Sequence, residues 1–150
     1  MRKYLVVAHQ TLGSDELSDA ILERHRGRRA TFHLLVPEQL GTGYTWDEGQ
    51  VRHEAEEGLE SALNRLTAAG ISVTGETGEA SLFVTAMPVG AVAAVLRRDG
   101  PSVYDEIILS TLPHKISKWL AVDAPARIRR ASDVPLTVVT AASASEYTAI

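Results

Sequence analysis

Apolar positions along this chain follow two periods in alternation. Short unbroken runs rich in branched side chains occur at Tyr4 to Ala8 (YLVVA), Thr31 to Val36 (TFHLLV), Ile71 to Thr74, Ile107 to Leu109 and Val134 to Thr140 (VPLTVVT). They are too short for helices and read as strands, the central ones buried on both faces. Between them, apolar residues recur at the spacing of one helix face. Ser14 is placed to cap a helix with Asp15 and Glu16 in its first turn and Leu17, Ala20 and Ile21 on its apolar side, ended by Gly27. Asp47 and Gln50 have the spacing of a capping box. Val51, Ala55, Leu59, Ala62, Leu63 and Leu66 then make the longest amphipathic face, stopped at Gly70. Pro88 to Arg98 predicts a third helix with proline in its first turn, while the stretch before Pro88 fits strand or loop. After the Ile107 run the chain breaks at Ser110-Thr111-Leu112-Pro113 and resumes as a helical segment, His114 to Val122, with Ile116, Trp119 and Leu120 on one face. Pro125 starts a last short helix.

Strands alternating with helices predict an α/β fold: an open five-stranded parallel sheet, doubly wound, with right-handed crossovers. One domain is expected over residues 1–140, followed by a loose tail at 141–150 that lacks periodicity. Gly75 and Gly78 read as the turn behind the third strand. In such a sheet the loops after the first and fourth strands share a crevice when those strands are neighbours, and ligands bind at the carboxyl ends of the strands.

Composition narrows the possible functions. The chain has no cysteine, which excludes disulfides, thiolate metal sites and a thiol nucleophile. Its net charge of -4, pI near 5.7 and 5% aromatic content are unlike a nucleic-acid binder, which needs a broad basic stripe. The apolar run in MRKYLVVAHQ is too short for a signal peptide or a membrane span, so no membrane association and a cytoplasmic location are expected.

Positive charge is concentrated locally. From His114 to Arg130 stand Lys115, Lys118, Arg127, Arg129 and Arg130 against the single acid Asp123. With the Ser110 and Thr111 hydroxyls and the free N–H groups of a helix start, Lys115, Lys118 and Arg127 suit a small anion such as phosphate, sulfate or a carboxylate. The same basic residues also fit the solvated faces of two short helices. His9, Gln10 and His114 would line the same crevice. No carboxylate in those turns orients the histidines, and Ser110 lacks the Gly-x-Ser-x-Gly elbow of a hydrolase, so no catalytic residue and no metal ligand is assigned. Lys115-Ile116-Ser117-Lys118 is similar to the phosphate-holding loop of class I aminoacyl-tRNA synthetases, but the companion His-x-Gly-His motif is absent.

The order of elements and the segments YLVVA, YDEIILST and PARIRRASDVPLTVVT resemble the universal stress protein family, over roughly Lys3 to Thr140. The resemblance implies strand order 3-2-1-4-5 and a homodimer paired through the last strand, Val134 to Thr140, whose edge would otherwise be open. Nucleotide-binding members carry Gly-x-x-Gly, nine residues and Gly-Ser or Gly-Thr after the fourth strand. Ser110, Pro113, Asp123 and Ala124 occupy those positions here. Pro113 has no N–H and Asp123 sets a negative charge where phosphate would approach, which argues against ATP or AMP as a cofactor. His9-Gln10 replaces the acidic residue expected after the first strand. Val36, where the family contacts adenine through the backbone, is compatible. The resemblance thus implies a cytoplasmic binding or regulatory protein. The alternative is a small-molecule or nucleotide-binding enzyme that uses the altered loop after the fourth strand.

Overall fold

The computed structural model describes residues 1–9, 11–26, 29–37, 48–78, 87–100, 102–113 and 123–141. Strands β1 (Arg2–Val7), β2 (Ala30–Pro37), β3 (Ser72–Gly78), β4 (Glu106–Thr111) and β5 (Leu136–Thr140) form one all-parallel sheet in the order β3-β2-β1-β4-β5. Helices α1 (Asp15–His25), α2 (Glu48–Ala68), α3 (Met87–Asp99) and α4 (Ala124–Ala131) connect them. The expected helix at 114–122, the Asp47 cap and the tail beyond Ala141 lie outside the described residues.

Strand alternation divides the core in two. Tyr4, Val6, Ala8, Phe32, Leu34 and Ile108 face α1 and α2 and pack with Leu17, Ile21 and Leu59. Leu5, Val7, Leu35, Ile107 and Leu109 face α3 and α4 and pack with Val92, Leu96 and Ile128. This is the doubly wound arrangement. It explains why β1 and β4 read as continuous apolar runs, since each residue in turn meets a helix layer on one side or the other.

Local chemistry sets the helix ends. The Ser14 hydroxyl accepts the Leu17 N–H at 3.0 Å, and Asp15 and Glu16 follow at the positive end of α1. Past α2, Gly70 takes φ 83°, the left-handed geometry that lets the Ile71 N–H reach back to the Leu66 carbonyl at 3.0 Å.

Two strands run further than their apolar letters suggest. β3 continues through Gly75 to Gly78, paired with β2 as far as Pro37↔Gly78, where a turn was expected. The cause is tertiary: a β-carbon on Gly75 would stand 2.5 Å from Leu59 Cδ1 and 3.2 Å from the Leu34 carbonyl oxygen. Glycine at this position admits α2 close to the sheet rather than turning the chain. Likewise Ser110 and Thr111, expected in the turn, are the last two residues of β4, paired with Val139 and Thr140 of β5.

Polar straps fasten the layers. Arg24 of α1 donates from Nε to Glu106 Oε1 at 2.7 Å and from Nη2 to Oε2 at 2.8 Å, and the Thr137 hydroxyl of β5 donates to the same carboxylate. Burial pushes the Glu106 pKa up, but the hydrogen bonds from Arg24 and Thr137 outweigh it and hold the carboxyl below its usual range. On the other face, Glu76 of β3 accepts from His33 Nε2 at 2.6 Å and from Arg98 Nη1 and Nη2 at 2.8 and 2.5 Å. His33 Nδ1 meets the Thr74 hydroxyl at 2.7 Å. Arg98 and the Tyr104 hydroxyl both donate to Asp99, drawing its carboxyl down to about 2.

Candidate functional site

Adjacent placement of β1 and β4 (Val6↔Ile108, Val7↔Leu109) brings their carboxyl ends together, which creates the expected crevice. The polar residues that are buried among the described residues gather here: Thr11, Ser14, Ser110 and Thr111. Ser110 follows Ile108 on the α1 side of the sheet, and its Oγ lies 2.5 Å from Thr11 Oγ1 across 99 residues of sequence. One hydroxyl proton occupies that bond, and the other can go to a second acceptor, for which the described residues give no partner. Thr111 follows Leu109 toward the opposite face, where its hydroxyl donates to the Leu112 carbonyl at 3.0 Å. The two neighbouring hydroxyls therefore diverge, as successive strand residues must. The Thr111 carbonyl accepts the Ala141 N–H at 2.8 Å, which fixes the strand end.

His9 directly follows Ala8 at the end of the β1 run and is half-buried. Burial lowers its pKa to about 4, so the ring is neutral at physiological pH. Its Nδ1 is buried without a hydrogen-bond partner among the described residues. A neutral imidazole here offers one donor or acceptor and no charge to a ligand. Val36 is buried at the end of β2, paired with Thr77 and packed in the α1–α2 core, so only its backbone borders the strand end.

Asp123 departs most from ordinary geometry. It is the non-glycine residue with positive φ among the described residues, at φ 56°, ψ 45°, immediately before α4. Aspartate tolerates this left-handed conformation better than most side chains. The backbone shape that a glycine would adopt is thus present, with an exposed carboxylate added to it, and that side chain makes no capping bond. Pro113 is half-buried beyond β4, where it presents no N–H.

The remaining expected site residues divide into two groups. Arg127 is exposed on α4 and shares no hydrogen bond or ion pair with His9, Ser110 or Thr111 among the described residues. Gln10, His114, Lys115 and Lys118 lie outside the described residues. Thr11 is a crevice residue absent from the expected set: its turn was expected to face the end of β4, but its hydroxyl bond to Ser110 depends on side-chain placement that no sequence pattern records. Among the described residues no three His, Asp or Glu side chains are grouped to hold a metal ion, and no helix is long and apolar enough to cross a membrane.

Comparison with known proteins places this architecture. No family model matches the chain, and no curated protein does. Solved structures do match. A universal stress protein family member from Arabidopsis thaliana with AMP bound superposes with a TM-score of 0.58, covering 97% of this chain and 95% of its own at 12% identity. The universal stress protein from Archaeoglobus fulgidus gives 0.57 at 15% identity, covering 93% of each chain. A family protein from Burkholderia pseudomallei gives 0.54 at 18% identity, covering 91% of this chain and 94% of its own. The chain has the universal stress protein fold. Another structure with this fold, a universal stress protein in complex with cAMP, superposes with a TM-score of 0.53 at 15% identity. In this fold the crevice between β1 and β4 is the switch point of the sheet, where the strand order reverses direction.

Proposed function

We propose that this chain belongs to the universal stress protein family and acts as a cytoplasmic binding or regulatory protein rather than an enzyme. On this reading the crevice takes a small anion at the carboxyl ends of β1 and β4 and does not bind ATP in the manner of the glycine-loop members. The observation that carries the reading is the Thr11–Ser110 hydroxyl pair at the switch point, two residues beyond the neutral His9 ring. A hydroxyl pair with one proton to spare suits a single phosphate, sulfate or carboxylate oxygen. A triphosphate needs a run of converging N–H groups, and Pro113 and the Asp123 carboxylate both oppose that.

A second reading has its own support. The Arabidopsis neighbour holds AMP and another neighbour holds cAMP, each with a single phosphate group. A nucleoside monophosphate therefore belongs among the candidate anions, with the base against the end of β2 at Val36. Isothermal titration of the full chain with phosphate, AMP and ATP tests both readings. Phosphate or AMP heats that vanish in a Ser110→Ala variant support the site, whereas tight ATP binding overturns the first reading.

The chain also acts as a homodimer in this proposal. β5 is an edge of the sheet, with one side of its ladder paired to β4 and the other open among the described residues, and Leu136 to Val139 are half-buried. Pairing two such edges would satisfy the open N–H and C=O groups.

A further inference from the structure

The face opposite α1 and α2 carries a groove of about 280 Å³ between α3 and α4, distant in the fold from the Thr11–Ser110 pair on the other side of the sheet. Val89, Val92, Ala93 and Leu96 of α3 line it together with Ile128 and Ala131 of α4. Arg97 stands in its wall, and Arg127 lies one turn before Ala131. Arg97, Arg127, Arg129 and Arg130 are all exposed, and none forms an ion pair among the described residues. Arg98, by contrast, is engaged by Glu76 and Asp99. Along the chain, Asp123 and Asp133 flank α4 with opposite charge. An apolar trough flanked by unpaired guanidinium groups is thus set on a protein whose net charge is -4.

We propose that this groove is a docking surface for an acidic amphipathic helix of a partner protein. The apolar lining would receive side chains at i, i+3, i+4 and i+7 of that helix, and its flanking Glu or Asp residues would meet Arg97 and Arg127. Charge complementarity decides between occupants. A second copy of this chain docked here about a two-fold axis would set the arginines of one groove against those of the other, which is repulsive. An acidic partner gains on both counts, with apolar burial in the trough and desolvated carboxylate–guanidinium pairs at its margins.

The test uses the full chain and a fluorescently labelled synthetic helix of about 16 residues with Leu at the seam positions and Glu elsewhere, followed by anisotropy. A Lys-for-Glu version of the helix serves as the control. The Glu peptide should bind at least about tenfold more tightly than the Lys peptide, and Arg97→Glu with Arg127→Glu should remove that preference. Ala93→Lys fills the groove while adding positive charge, so it should weaken the Glu peptide about tenfold. Unchanged or tighter binding to Ala93→Lys would mean that charge alone attracts the peptide, and would overturn the proposal. Equal binding of both peptides would do the same. So would sedimentation showing a dimer that Ala93→Lys converts to monomer, because the groove would then be occupied by a second copy.

Discussion

Glu106→Ala should weaken the strap that holds α1 against β4 and β5, the elements behind the crevice. The carboxylate accepts two bonds from Arg24 and one from Thr137, with 19% of the Arg24 and 18% of the Glu106 side chain exposed. Removing one partner of a fully buried pair costs about 3–5 kcal/mol, because the other charge is left uncompensated. Here Arg24 keeps its bond to the Ala20 carbonyl at 3.0 Å and can reach some water. The expected loss is therefore about 2–3 kcal/mol, with about 1–2 kcal/mol for Glu106→Gln, which keeps the shape but loses the charge. Replacing both partners by Arg24→Met with Glu106→Leu should return stability to within about 1 kcal/mol of the parent. The Glu106 pKa is depressed in the folded protein, so its contribution is complete above the ordinary value of 4.5 and is lost as pH falls through the folded value. The gap between parent and Glu106→Gln should accordingly close in acid. Equilibrium urea unfolding followed by circular dichroism at neutral and acid pH measures each quantity. A Glu106→Ala loss under about 0.5 kcal/mol, or a Glu106→Gln gap that is the same at both pH values, would refute the reasoning.

Other consequences follow from burial and packing. His9 has a folded pKa near 4 against 6.5 unfolded, so the unfolded chain takes up its proton first and stability falls as pH drops from 6.5 toward 4. The full effect is on the order of 3 kcal/mol, and His9→Asn should flatten that part of the pH–stability curve. Gly75→Ala should cost about 1–3 kcal/mol in urea unfolding because the new methyl group meets Leu59 and the Leu34 carbonyl, and a neutral result would mean that α2 gives way easily. Val138→Lys, on the half-buried edge strand, should shift sedimentation at micromolar concentration from dimer to monomer, and no shift would remove β5 as the interface.

The sheet was legible in the sequence because its central strands are buried on both faces and leave unbroken apolar runs, as at Leu5 to Val7 and Ile107 to Leu109. The strand order came from resemblance rather than from the residues. β3 was read short because Gly75 and Gly78 carry local turn signals, whereas the close approach of Leu59 and Ala91 from two helices decides their role. Ser110 and Thr111 looked like turn residues because they are polar, yet the ladder to β5 continues through both. The position of the crevice was legible in the same way, from the ends of the first and fourth apolar runs. Its contents were less so. The Thr11–Ser110 bond joins residues 99 apart, and the His33–Glu76–Arg98 strap joins three elements that only the folded sheet brings together. No periodicity records such meetings.

The central claim is that the crevice admits a single anionic group but does not wrap a triphosphate, and calorimetric titration of the full chain with phosphate, AMP and ATP in one buffer tests it most directly. The account predicts that ATP binds no more tightly than AMP or phosphate and that Ser110→Ala abolishes whatever binding is seen. Submillimolar ATP affinity well above that for AMP and phosphate would contradict it, as the loop around Pro113 and Asp123 would then be closing on the β- and γ-phosphates.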